Sequence, residues 1–140
     1  MNKRVFNSYL KGSNRPYLEQ NCFEYENGYL ISDSYSVIKL NDNNGLKIEK
    51  DILNVGNIYQ NFIDDYEFLS DYIPLWLEFE KIDDKYGIQM KLFKRINTII
   101  KGNKYAIMKA KNNLSSARYI IKLENTKTNE VAYMLPARFY

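Results

Sequence analysis

Histidine is missing from the 140 residues, and cysteine occurs once, as Cys22. These two facts remove much side-chain chemistry before any fold is considered. Ser-His-Asp and Cys-His nucleophilic sites, histidine acid–base pairs and histidine metal ligands are excluded. Zinc would need four protein ligands from one thiolate and carboxylates, a set that argues against it. A lone cysteine makes no intrachain disulfide, which argues against a secreted scaffold. Carboxylates and Lys/Arg remain. The carboxylates gather in one stretch: Asp64, Asp65, Glu67, Asp71, Glu78, Glu80, Asp83 and Asp84, opposed only by Lys81. Paired carboxylates can hold Mg²⁺, and Asp83-Asp84-Lys85 imitates part of a nuclease D-x-K element. Neither the strand context nor an upstream acid at the right spacing accompanies it. The expectation is therefore a protein that is not an enzyme and has no catalytic residue, no metal and no cofactor.

The cations are distributed the other way. Residues 1–85 carry nine Lys/Arg against fifteen Asp/Glu, and residues 86–140 carry eleven against two, so a net +3 conceals −6 and +9. Lys91 through Lys122 contains nine basic side chains and no acid. Such asymmetry points either to a polyanion-binding face or to two surfaces that neutralise one another between subunits. Ordinary solvated faces are the plain alternative. The acidic stretch admits two further readings, an imitation of nucleic acid or a surface that docks on the basic half of a neighbouring copy.

Several elements must position these charges. Residues 2–11 predict a short helix, with Val5, Phe6, Tyr9 and Leu10 at helical spacing and Arg4, Asn7 and Lys11 on another face. Gly12-Ser13 stops it, and Arg15-Pro16 forces an extended exit. Strands are expected at 21–26, 29–33 and 35–40, with an Asn27-Gly28 hairpin turn, an Asp33-Ser34 turn, and 41–45 ending the meander. The middle, 46–85, is unassigned. Within it, 51–63 reads as a helix or an irregular excursion, Leu75–Glu80 alternates as a strand, and Asp83-Asp84-Lys85 forms a turn. Gln89–Ile100 predicts a second helix. Met90, Phe93, Ile96, Asn97 and Ile100 lie along one stripe, with Lys91, Lys94, Arg95, Thr98 and Lys101 on another, and Gly102-Asn103 closes it. Strands follow at 104–110, 117–123 and 131–135. Helix plus three strands thus occurs twice, an α+β pattern in one domain spanning 1–140. No stretch approaches the roughly 20 apolar residues of a membrane span, and no hydrophobic region follows Met1-Asn2-Lys3-Arg4, so a soluble cytoplasmic protein is expected.

Three segments resemble, in order, the closing part of a repeat of the bacterial DNA polymerase III beta subunit, the replicative sliding clamp. Residues 90–100, MKLFKRINTII, sit where the clamp has a "YLLDALKAL" helix. Asn113-Leu114-Ser115-Ser116-Ala117 resembles its "GPLSPA" turn, with Ser116 in place of proline. Tyr133-Met134-Leu135-Pro136-Ala137-Arg138-Phe139-Tyr140 resembles its terminal "LILPVRTY". Near the start, residues 23–35, FEYENGYLISDSY, resemble the "EDGKLTLTATDGYRLA" meander. The likeness is loose over 1–45 and better over 86–140. It implies a DNA-clamp-like repeat built of two helix-plus-antiparallel-sheet halves. A clamp subunit has three repeats, whereas this chain is long enough for one, so a ring would take six copies. Stand-alone chains of this kind look like phage products acting in the cytoplasm of a bacterial host.

The resemblance also implies roles. Clamp helices line the hole and face phosphates, which would make Lys3, Arg4, Lys11, Arg15, Lys91, Lys94, Arg95 and Lys101 a non-specific contact for double-stranded DNA. The clamp's terminal strand walls a pocket for short peptides of replication proteins, and Leu114, Ser115, Leu135, Pro136 and Arg138 are the counterparts. The plain reading of that segment is a strand end with a surface arginine. The implied function is a non-enzymatic, clamp-like replication accessory protein, with a homo-oligomeric ring as one form it would take. The alternative is a small phage-type inhibitor that uses the same fold and its acidic surface to block a host DNA-binding protein. Trp76 and the thirteen tyrosines read as core and sheet filling rather than stacking platforms, and Cys22 as a small buried hydrophobe.

Overall fold

Strand side chains alternate between two apolar clusters, and this alternation builds the molecule outward from a sheet. The computed structural model describes residues 3–11, 18, 21–75, 81–112 and 117–138. Helices are α1 (Lys3–Leu10), α2 (Val55–Asp64) and α3 (Met90–Ile100). The first half supplies β1 (Asn21–Tyr25), β2 (Gly28–Ser32), β3 (Ser36–Leu40) and β4 (Lys47–Glu49). The middle adds β5 (Tyr66–Phe68), β6 (Ile73–Pro74) and β7 (Tyr86–Gly87). The last part adds β8 (Lys104–Ala110), β9 (Tyr119–Asn125), β10 (Glu130–Met134) and β11 (Ala137–Arg138).

Among the described residues nine strands share one sheet in the order β4-β1-β2-β3-β10-β9-β8-β5, with β6 also pairing β8. Among the described residues only β1 and β4 run parallel, so the sheet is mixed and the fold is α+β. Each meander follows a helix, α1 before β1-β2-β3 and α3 before β8-β9-β10. The two meanders join where β3 and β10 pair antiparallel, Val37 opposite Tyr133 and Ile38 opposite Ala132. What the sequence presents as two halves is one continuous sheet.

Cys22, Ile31, Ile38, Ile107, Ile121 and Ala132 belong to the cluster that also holds Phe6, Tyr9 and Leu10 of α1 and Leu92, Phe93, Ile96 and Ile100 of α3. Their strand neighbours Phe23, Leu30, Val37, Met108, Ile120 and Tyr133 belong to a second cluster with Val55 and Tyr59 of α2. Successive strand residues point to opposite faces. Hence α1 and α3 pack side by side on one face of the sheet, and α2 lies on the other. Cys22 is fully buried, and burial pushes its thiol up to about 11, in keeping with a small inert hydrophobe. Tyrosines 9, 59, 66, 105, 119 and 133 are buried as core and sheet filling.

Several local expectations need correction. The first hairpin turn is Glu26-Asn27, because Tyr25 pairs with Gly28; Glu26 takes the positive φ (51°). Gly28 is instead the first residue of β2, where an added Cβ would lie 2.4 Å from the Leu40 carbonyl oxygen. Lys101, and not Gly102, ends α3 in the left-handed conformation at φ 49°. Gly102 meets a packing demand: its Cβ would stand 3.1 Å from Asn97 Oδ1 and 3.2 Å from the Glu124 carbonyl. The buried stripe of α3 includes Leu92, whereas Met90 and Asn97 are only half-buried. The ambiguous 51–63 stretch is helical from Val55, because Asp51 accepts the Val55 and Gly56 amides at 2.7 and 2.8 Å and so caps α2 from outside it. Gly56 therefore does not interrupt the helix. The three-strand meander ends at Leu40, ahead of the 41–45 turn, and β4 then adds parallel beside β1. Near 75–80 the described strand is Ile73–Pro74, and 76–80, with Trp76, lie outside the described residues. Strands expected at 117–123 and 131–135 run 119–125 and 130–134.

Candidate nucleic-acid interface

Neither KRVFNSYL of α1 nor MKLFKRINTII of α3 contains an acid. Each helix commits one stripe to the sheet: Phe6, Tyr9 and Leu10 in α1, and Leu92, Phe93, Ile96 and Ile100 in α3. Helical periodicity then forces the intervening cations outward. Arg4, Lys11, Lys91, Lys94 and Lys101 are exposed, and Arg95 is half-exposed. The two helices pack against one another, so these six cations share one layer. Among the described residues, Lys11, Lys91, Lys94, Arg95 and Lys101 have no ion-pair partner, while the four ion pairs present lie elsewhere. Lys3 falls within α1, its side chain outside the described residues, and Arg15 lies outside them altogether.

Two buried polar contacts, each joining residues far apart in sequence, hold these helices in place. In α1, the Tyr9 hydroxyl shares a 2.7 Å hydrogen bond with Ser36 Oγ, and Ser36 Oγ donates to Asp33 Oδ1 at 2.8 Å. Asp33 Oδ1 also accepts the Tyr35 amide at 2.9 Å, closing the β2–β3 turn. Burial pushes the Asp33 carboxyl above its ordinary value, against these hydrogen bonds, and raises the Tyr9 phenol strongly. At the other helix, Asn125 Nδ2 donates to the Ile100 and Lys101 carbonyls at 2.9 and 3.0 Å. It satisfies acceptors that any helix leaves unpaired at its C-terminus. An Asp-Ser turn and an Asn in a strand-ending segment were the available signals, but the partner of each is far away in sequence.

The terminal segment is placed differently. Leu135 and Pro136 are half-buried and Arg138 is exposed; the Leu135 amide donates to the Tyr35 carbonyl at 2.9 Å. Ala137 and Arg138 pair with Gly87 and Tyr86. Leu114 and Ser115 lie outside the described residues, so that constellation is seen only through Leu135, Pro136 and Arg138. In the acidic stretch, Asp64, Asp65, Glu67, Asp71 and Asp84 are exposed. Glu67 meets Lys109 at 3.9 Å, and Asp84 meets Lys81 at 3.2 Å. Asp83 accepts the Lys85 and Tyr86 amides, both at 2.8 Å, which holds its carboxyl below the ordinary value. Its carboxylate is thus the closure of a turn. Among the described residues no group of three or more Cys, Asp or Glu side chains could hold a metal ion, and no helix is long and apolar enough to cross a membrane. Comparison of the chain with family models, with curated proteins and with solved structures finds no match.

Proposed function

We propose that the chain is a non-enzymatic, clamp-like DNA replication accessory protein, whose α1–α3 layer rests on the phosphates of double-stranded DNA without reading base sequence. The acid-free outer face of that layer carries the reading. Six cations stand on two adjacent helices and on the residue that follows each, five of them with no ion pair among the described residues, so an incoming phosphate does not have to displace a carboxylate there. The doubled order of helix and meander, with both helices on one face, supports the likeness to a clamp repeat. Phe6, Tyr9 and Phe93 all point inward, so among the described residues α1 and α3 offer charge and no stacking ring, which favours duplex over single strand. By the same likeness, Leu135, Pro136 and Arg138 would serve replication proteins. The acidic exposed stretch favours the second reading, an inhibitor that blocks a host DNA-binding protein.

The test is duplex binding at increasing salt, with two unrelated sequences, alongside light scattering with and without DNA. The reading requires steeply salt-dependent affinity that is equal for both sequences. A strict monomer with no salt-dependent affinity sinks it and leaves the inhibitor reading, which a stoichiometric complex with one host protein would support.

A further inference from the structure

On the opposite face of the sheet, two lysines stand beside one tyrosine ring, and only one of them meets a carboxylate. Lys104, Lys122 and Glu124 alternate with Tyr105 and Leu123, which face the α1–α3 core, so these three project on the α2 side. Lys104 Nζ stands 3.7 Å from the centroid of the Tyr72 ring, and Lys122 Nζ lies 5.7 Å from the same centroid. Glu124 Oε2 is 3.9 Å from Lys122 Nζ and already accepts the Tyr72 hydroxyl at 2.7 Å. Lys104 has no ion pair among the described residues. The Lys122 and Glu124 side chains are each 18% exposed, so this charge imbalance sits in a sheltered setting. Burial pulls the Lys122 ammonium below the ordinary lysine value, and Lys104 adds to that effect while Glu124 opposes it. An anion between the two ammonium groups would relieve the imbalance.

An open ring stands beside them. Phe68 is 48% exposed, its ring 5.2 Å from Tyr72 and 5.6 Å from Lys122 Nζ. Exposed aromatic rings next to lysines are how proteins hold an unpaired base and its phosphate, by stacking and by point charge. We propose that this cluster is a second site, which binds a nucleoside monophosphate with its phosphate between Lys104 and Lys122 and its base on Phe68. One exposed ring and one excess cation match a single nucleotide rather than a strand. The site is independent of the α1–α3 face, since the sheet separates them.

The experiment is calorimetric titration of the intact chain with AMP, inorganic phosphate and adenosine. AMP is expected to bind more tightly than phosphate, and phosphate more tightly than adenosine. Phe68→Ala should weaken AMP about fivefold or more and leave phosphate unchanged, from the lower bound of base–ring stacking. Lys104→Ala should weaken AMP and phosphate together. Lys91→Ala/Lys94→Ala/Arg95→Ala should leave AMP binding intact. The proposal is overturned by absence of saturable AMP binding, by equal affinity for AMP and phosphate, or by AMP binding that only the helix variant reduces.

Discussion

Asn125 Nδ2 in β9 donates to the Ile100 carbonyl of α3 at 2.9 Å, across 25 positions of chain. The same amide donates to the Lys101 carbonyl, and its Oδ1 accepts the Lys127 and Thr128 amides at 2.9 and 3.2 Å. One buried side chain therefore closes a helix and a β-turn at once. Asn125→Ala leaves these groups without the amide, and unpaired buried polar groups are costly. A loss of about 2 kcal/mol is expected from the upper part of the range for such groups. Urea unfolding reads it, and an unchanged midpoint would show that the Asn125 contacts contribute nothing net.

Gly28 makes a different demand. Its missing Cβ would lie 2.4 Å from the Leu40 carbonyl oxygen and 2.8 Å from Lys39 Cε. The lysine end can move, but the carbonyl belongs to the β2–β3 ladder and cannot move without parting the strands. Gly28→Ala should destabilise by about 1–3 kcal/mol, as overpacking does. Hydrogen exchange should quicken first at Tyr29–Ser32 and Val37–Leu40. Unaltered exchange there, with wild-type stability, would mean the strands accommodate the methyl group.

What could be read from the chain follows from the range of each interaction. The α3 stripe was legible because Phe93, Ile96 and Ile100 recur within one helix, and the lysines between them are forced outward by the same period. The three strands of each meander were legible within a few residues for the same local reason. The α2 start was not, because its cap is Asp51, outside the helix, and Asn54 just before it is left-handed at φ 57°. The parallel β1–β4 pairing and the short β7–β11 ladder join distant segments and leave no periodic trace. The cations of the two-helix face were readable one helix at a time, but their meeting in one layer depends on the β3–β10 junction. Lys104, Lys122, Phe68 and Tyr72 meet only through the β5–β8–β9 pairing and the chain that follows β5, so no spacing announces them.

Asp33 supplies a pH signature. It is 2% exposed, and burial raises its carboxyl above the ordinary value of 3.8. The folded state therefore holds this proton more tightly than the unfolded chain does. Its favourable contribution is complete below about 3.8 and is lost as pH rises through the raised folded value. Above that, ionised Asp33 weakens the fold. Asp33→Asn keeps an acceptor for Ser36 Oγ and the Tyr35 amide while removing the ionisation. Its melting temperature relative to wild type should be higher at pH 7 than at pH 4. A difference that is the same at both pH values would show that Asp33 ionises without penalty.

The α1–α3 face makes the final prediction, through a pair of variants with opposite signatures. Lys91, Lys94 and Arg95 sit on the outer side of α3, none with an ion pair among the described residues. Each phosphate contact on B-DNA contributes about 0.9 to the slope of log affinity against log salt, so replacing all three by Ala should lower that slope by roughly 2 to 3. Stability should move by only a few tenths of a kcal/mol, about what exposed charges contribute. Phe93→Ala is the counterpart: the ring is buried and meets Tyr105 edge-on at 5.1 Å. Its removal should cost about 3–5 kcal/mol, a cavity-scale loss. Duplex affinity of the Phe93 variant, measured where it remains folded, should keep the wild-type slope, because all six cations persist. If the triple variant unfolds, or binds duplex with the wild-type slope, α3 does not face phosphates. Its cations would then be partners for the exposed acids of a neighbouring copy or another protein, and the inhibitor reading would take precedence.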